Sequence, residues 1–170
     1  MIVLVSDTSV LIDLERGGLL EAAFACGHQM VVPDLLYDQE LAPENGPLLK
    51  KMGLIVVELT SEELEFAQAV QIANTLLSFP DCSTLSCARR PEHLLVTGDK
   101  ALRAEAQGKN VDCRGLLWLL DQMEATGVIA AVSLAEGLQK IIAHPRCRLP
   151  KHEVNERLTK WMPGKGNKHL

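Results

Sequence analysis

A chain of 170 residues, 47% of them hydrophobic, has the size and apolar content of one compact domain, and its six aromatics leave the core to Leu, Val, Ile and Ala. No apolar window reaches membrane-span length and no basic leader precedes an apolar run, so the expectation is a cytoplasmic chain with no membrane partner. The net charge of −5 divides unevenly: residues 1–86 carry 3 Lys+Arg and 13 Asp+Glu (net −10), and residues 87–170 carry 14 and 9 (net +5).

That asymmetry suits an acidic metal site beside a basic phosphate-holding surface, and equally a solvated basic tail. The five cysteines (Cys26, Cys82, Cys87, Cys113 and Cys147) are scattered without a CxxC pair, so neither a disulfide framework nor a zinc site is suggested. The five histidines (His28, His93, His144, His152 and His169) have no metal-motif spacing and read as structural or solvent-facing.

Ile2-Val3-Leu4-Val5 is a continuous apolar run, as expected for a parallel strand buried on both faces. It ends at Ser6-Asp7-Thr8-Ser9, and a helix follows to about Glu15, stopped by Gly17-Gly18. Met30-Val31-Val32 predicts a second strand, halted by Pro33, with Asp34 capping a helix to about Ala42. Leu54 to Val57 predicts a third. Thr60 and Glu63 form a capping box for a long helix with the stripe Phe66, Ala69, Val70, Ala73, Leu76 and Leu77. Phe79-Pro80 breaks it, and Asp81 starts a helix to about Arg89.

His93 to Thr97 predicts a fourth strand, with Gly98-Asp99 turning into a helix through Ala106. Residues 109–113 predict a short fifth strand, and residues 115–125 a helix. Ser133 and Glu136 predict a second capping box before a helix ending near Ala143. Residues 145–170 read as a basic, proline-broken extension, in part disordered, on a domain spanning 1–144. Strands alternating with helices predict an α/β fold, a three-layer α/β/α sandwich around a mainly parallel sheet. Ligands in such folds bind beyond the carboxyl ends of the strands.

Asp7 and Asp99 both follow a strand at that edge. Each alone is better read as a helix N-cap; together they make a convergent acidic pair. Glu40, on an α-helical wheel at about 100° per residue, falls between Leu36 and Tyr37 with Leu41. An unpaired carboxylate in an apolar arc costs several kcal/mol or is shifted in pKa until it is neutral, so a cation or a partner must compensate it. Residues 1–86 offer only Arg16, Lys50 and Lys51, which favours a metal. Asp34 and Asp38 read as cap and solvent.

Asp81 is again an N-cap candidate, at a helix N-terminus that also favours phosphate. Four oxygen donors without His or Cys suit Mg2+ or Mn2+ rather than Zn2+. GxSxG, GxxxxGK[ST] and GxGxxG motifs are absent, and Asp7 lacks a second Asp two residues on, which weakens a haloacid-dehalogenase-like phosphatase reading.

Four segments in order carry a resemblance. Val5-Ser6-Asp7-Thr8-Ser9-Val10-Leu11-Ile12-Asp13 resembles the first motif of PIN-domain nucleases, and Pro33 with Tyr37-Asp38-Gln39-Glu40-Leu41 the second. Asp81-Cys82-Ser83-Thr84-Leu85 resembles the third, and Leu94-Leu95-Val96-Thr97-Gly98-Asp99-Lys100-Ala101-Leu102 the most distinctive fourth. The match spans roughly residues 1–120. The remainder is similar to an unassigned prokaryotic PIN-like subgroup and less close to the shorter VapC toxins.

The resemblance implies a Rossmann-like sandwich and a Mg2+- or Mn2+-dependent endoribonuclease that cuts single-stranded RNA with metal-activated water. It implies that Asp7, Glu40, Asp81 and Asp99 are the catalytic, metal-binding carboxylates, with Ser9 and Thr97 as supporting hydroxyls. Arg89, Arg90, Lys100 and Arg103, on helices flanking Asp81 and Asp99, are candidates to hold RNA; for any one of them a solvated helix face is the commoner role. An antitoxin protein and a homodimer are candidate partners, through the apolar helices 115–125 and 133–143, for which core packing is the commoner role. Two other readings stay open: a DNA nuclease or phosphatase, and a partner-regulated RNA- or protein-binding module without significant catalysis.

Overall fold

The computed structural model describes residues 1–164, so His169 and the end of the basic extension lie outside the described residues. The apolar run at the start forms β1 (Val3–Ser6), the middle of a five-stranded sheet. It is joined by β2 (Gln29–Pro33), β3 (Ile55–Val57), β4 (His93–Val96) and β5 (Cys113–Arg114) in the order β3-β2-β1-β4-β5, every pairing parallel. Val3, Leu4 and Val5 stand opposite Gln29, Met30 and Val31 on one side and His93, Leu94 and Leu95 on the other.

Side-chain alternation along the strands divides the core in two. Leu4, Met30, Val32, Leu94 and Val96 meet a layer that includes α1 (Thr8–Arg16), α2 (Leu20–Ala25), α8 (Leu116–Thr126), α9 (Ala131–Ile142) and α10 (Lys151–Trp161). Val5, Val31 and Leu95 meet α5 (Ser61–Ala73), α6 (Phe79–Ala88) and α7 (Lys100–Gly108) on the opposite face. This is the expected three-layer α/β/α sandwich. No helix among the described residues is long and apolar enough to cross a membrane.

Topology fixes where a ligand can sit. From β1 the chain builds outward to β2 and β3, then crosses back to lay β4 and β5 on the other side. The strand order therefore reverses between β1 and β4, and the crevice beyond their carboxyl ends is the ligand site of such sheets.

Several local expectations change. Asp34 is the first residue of the short helix α3 (Asp34–Leu36), whose cap is Pro33, and the chain then runs as one π turn, Tyr37–Leu41. Helices α2 and α4 (Gly46–Met52) were not anticipated; both are short. The Thr60–Glu63 capping box forms as expected, but α5 buries Ala67 and Val70, while Ala69, Ala73 and Leu76 are exposed. The helix stops at Ala73, so the apolar period does not continue to Leu76. Ser133 does not cap α9, which begins at Ala131 with no side-chain cap.

Within the basic extension, α10 packs on α9 and buries Val154 and Trp161. Helices α8 and α9 likewise turn their leucines into the core. The α1–α9 contact depends on absent side chains: a Cβ at Gly137 would lie 2.8 Å from the Leu19 side chain and 2.9 Å from the Gly17 carbonyl oxygen.

Candidate active site

Asp7 leaves the end of β1 directly into the crevice. It is the N-cap of α1, as its position predicts, with Oδ1 accepting from the Val10 N–H at 3.0 Å and the Ser9 hydroxyl at 2.9 Å. Its Oδ2 accepts from the Thr97 hydroxyl. A surface cap would be solvated, whereas Asp7 is 4% exposed. Burial pushes its carboxyl above the usual aspartate range; the bonds from Thr97, Val10 and Ser9 offset part of that push, and the Asp81 charge adds to it.

Thr97 connects the two strand ends. While its hydroxyl donates to Asp7, it accepts from the Asp99 N–H at 3.0 Å. Asp99 is the exposed N-cap of α7, with Oδ1 accepting from the Leu102 N–H at 2.8 Å. Asp7 and Asp99 are thus held on either side of one buried threonine, across the switch point.

Glu40 arrives from the π turn. The Ala42 N–H reaches back five residues to the Tyr37 carbonyl at 2.7 Å, so the 100° wheel does not apply here. The burial expected from that wheel is nevertheless present: Glu40 Oε2 is shielded from solvent and has no hydrogen-bond partner. Burial, then the Asp81 charge, raises its carboxyl above the usual glutamate range, with Asp7 adding a smaller push; a hydrogen bond from the nearby Thr8 hydroxyl, loose in geometry, alone works the other way. π turns of this kind occur often at functional sites.

Asp81 is not the start of its helix. Ser78 caps α6, Pro80 sits in the first turn, and Asp81 is the N3 residue of a reciprocal capping box. Its Oδ2 accepts from the Ser78 N–H at 3.0 Å, and its own N–H donates to Ser78 Oγ at 3.1 Å. That capping box uses one carboxylate oxygen, and the Asp81 charge reaches both Asp7 and Glu40.

Asp7, Glu40 and Asp81 therefore share one electrostatic neighbourhood, and the Asp99 backbone N–H is tied to Asp7 through Thr97. Among the described residues, no Lys or Arg forms a salt bridge with any of the four. As the side chains stand, no group of three or more His, Cys, Asp or Glu among the described residues is drawn tightly enough to hold a metal ion. The donor chemistry still fits a hard divalent cation: every donor is a carboxylate oxygen, one is orphaned, and the mutual repulsion asks for positive charge.

The basic candidates separate. Arg89 and Arg90 stand at the far end of α6 from Asp81, ~12 Å along the axis at 1.5 Å per residue, and are not brought to the carboxylates. Arg90 is bound to Glu63 at 2.7 and 2.8 Å and to the Glu58 carbonyl at 2.8 Å; Arg89 lies over the Phe66 ring at 3.8 Å. Both line a polar groove of about 350 Å3 that contains none of the four carboxylates.

Arg103 is at the site but faces inward, its Nη2 donating to the Thr97 carbonyl at 3.0 Å. Gly115 makes room for it, since a Cβ there would lie 2.8 Å from Nη2. Lys100 is exposed beside Asp99. Sequence reasoning passed over Thr8, whose buried hydroxyl lies beside Glu40 without a partner in good geometry. Its signal was a polar residue between Asp7 and Ser9, indistinguishable from an ordinary first-turn threonine.

No curated protein matches the chain. A family model described as a PIN domain, DUF3368, matches residues 3–162, which reaches from β1 to the residue after α10. The strand-end aspartates, the inward glutamate and the all-parallel sheet thus coincide with a match over nearly the whole chain, and the protein belongs to the PIN-domain family, whose members are generally nucleases that typically use divalent metal ions.

Proposed function

We propose that this protein is an endoribonuclease that hydrolyses phosphodiester bonds of single-stranded RNA, with Asp7, Glu40, Asp81 and Asp99 holding Mg2+ or Mn2+. The observation that carries the reading is the buried, partnerless Glu40 Oε2 in the field of Asp7 and Asp81, with no basic side chain paired to any of them. Glu63, by contrast, is neutralised by Arg90. When bound, such an ion lowers the pKa of water and stabilises charge on the phosphate oxygens.

The chain's own residues supply positioning. Ser9, Thr97 and the Val10 N–H fix the Asp7 carboxylate in one orientation, and Arg103 holds the Thr97 carbonyl and with it the end of β4. In the reaction, a water oxygen bonds to phosphorus as the bond to the 3′ oxygen breaks, leaving a 5′-phosphate and a 3′-hydroxyl. Lys100 suits the RNA backbone: a cation in the first turn of α7 opposes the helix dipole, so it is not placed there for helix stability.

The test is cleavage of labelled single-stranded RNA, with single-stranded DNA and a monomeric phosphate ester as controls. Wild type with Mg2+ or Mn2+, wild type in EDTA and Asp7→Asn are compared. The expected result is metal-dependent RNA cleavage that Asp7→Asn lacks. Equal cleavage by Asp7→Asn would overturn the mechanism, preferred hydrolysis of the DNA or the ester would overturn the substrate assignment, and a silent wild type would move the protein to the binding-module reading.

A further inference from the structure

Two buried oxygens at the site are left over once every cap and turn has been satisfied: Glu40 Oε2 and Thr8 Oγ1. They are neighbours on different elements, one on the π turn and the other in the first turn of α1. Helix capping does not use the Thr8 hydroxyl. The α1 cap is made by Asp7 with the Val10 N–H, and Ser9 supplies the hydroxyl that supports it. Elsewhere the buried Thr84 hydroxyl finds an acceptor on the Pro80 carbonyl at 2.9 Å, whereas Ser83 Oγ, two residues from Asp81, is likewise left without one. A donor and an acceptor side by side, close enough for the Thr8 hydroxyl to stabilise the Glu40 carboxylate yet outside good hydrogen-bond geometry, are what a site looks like when their alignment depends on a further group.

We propose that Thr8 is a positioning residue, whose hydroxyl orients the Glu40 carboxylate toward a divalent cation shared with Asp7 and Asp81. The inference rests on the metal reading above and deepens it. Thr8 acts through Glu40, and it is adjacent in the chain to Asp7, so one turn of backbone carries both a ligand and the group that aims a second ligand.

The test uses the whole protein, Mn2+ as the probe, and two variants. Thr8→Val keeps the branched shape without the hydroxyl; Thr8→Ser keeps the hydroxyl. Isothermal titration with Mn2+ is expected to show Thr8→Val binding at least about tenfold more weakly, the scale of lost outer-shell partners, and Thr8→Ser close to wild type. Thermal melting in EDTA adds a readout that separates positioning from folding. Because the hydroxyl makes no hydrogen bond in good geometry without metal, Thr8→Val should melt close to wild type in EDTA and gain less from added Mn2+.

Wild-type Mn2+ affinity in Thr8→Val would overturn the proposal, as would Thr8→Ser binding as weakly as Thr8→Val. A lower melting point of Thr8→Val in EDTA would reassign the hydroxyl to folding. A wild type that takes up no Mn2+ would sink the carboxylate reading itself, a result distinguishable from the failure of Thr8 alone.

Discussion

Replacing Glu40 by Gln should stabilise the metal-free protein. The wild-type carboxylate has one oxygen buried without a partner and faces the charges of Asp81 and Asp7. Leaving a charged group unsatisfied costs ~1–3 kcal/mol or more and a neutral amide costs less; since Glu40 as a whole is only half-buried, solvent screening brings the net gain down to about 1 kcal/mol. For a chain of this length that corresponds to about 2–4 °C in Tm.

The gain has a defined pH dependence. Burial and like charge raise the folded-state pKa of Glu40 above its unfolded value. A raised carboxyl binds its proton longer in the folded state, so wild-type stability falls as pH rises through the window between the two values. Glu40→Gln lacks that loss: its advantage is absent below about pH 4 and complete once Glu40 is ionised. The assay is calorimetric melting in EDTA from pH 4 to pH 8, repeated with Mn2+, where wild type should overtake the variant. A variant no more stable than wild type at pH 8 in EDTA, or a gap independent of pH, would refute the reasoning.

The Glu63–Arg90 pair titrates in the opposite sense. The Arg90 guanidinium, donating through two nitrogens, holds the Glu63 carboxyl down at about 2. Its stabilisation is present above the ordinary glutamate value and lost as pH falls through that lowered one; Glu63→Gln should cost about 1 kcal/mol at pH 7, discounted for residual solvent, with the deficit shrinking at pH 3 in urea titrations. Trp161→Ala should cost ~3–5 kcal/mol, since the ring is buried where α10 meets the core. A loss below ~1 kcal/mol in the same denaturation series would make α10 an appendage.

What the sequence by itself determined was the frame and its acidic edge. The continuous apolar run Ile2 to Val5 reads as a strand buried on both faces, and an aspartate just beyond such a strand lies at the carboxyl edge of the sheet; the placement of Asp7 and Asp99 followed from that. Glu40 was legible because an acidic residue among Leu36, Tyr37 and Leu41 has to be partly buried, and this held although the segment is a π turn and not the assumed α-helix. Local patterns failed where the decisive partner is far along the chain. Arg90 looked like a basic residue near Asp81, but Glu63, 27 positions earlier, neutralises it at the other end of α6.

Leu76 fitted the apolar period of α5 and stands 82% exposed, because the helix had already ended at Ala73. Asp81 looked like a cap because Ser78, the true cap, lies ahead of the proline that seemed to start the helix. Tertiary structure alone decided that one threonine, Thr97, would bridge Asp7 and Asp99, and that Thr8 would be left beside Glu40 outside good hydrogen-bond geometry. Periodicity and capping report on contacts within a few residues, whereas a shared charge or a bridging hydroxyl exists only when β1, β4 and the π turn are packed at the same edge.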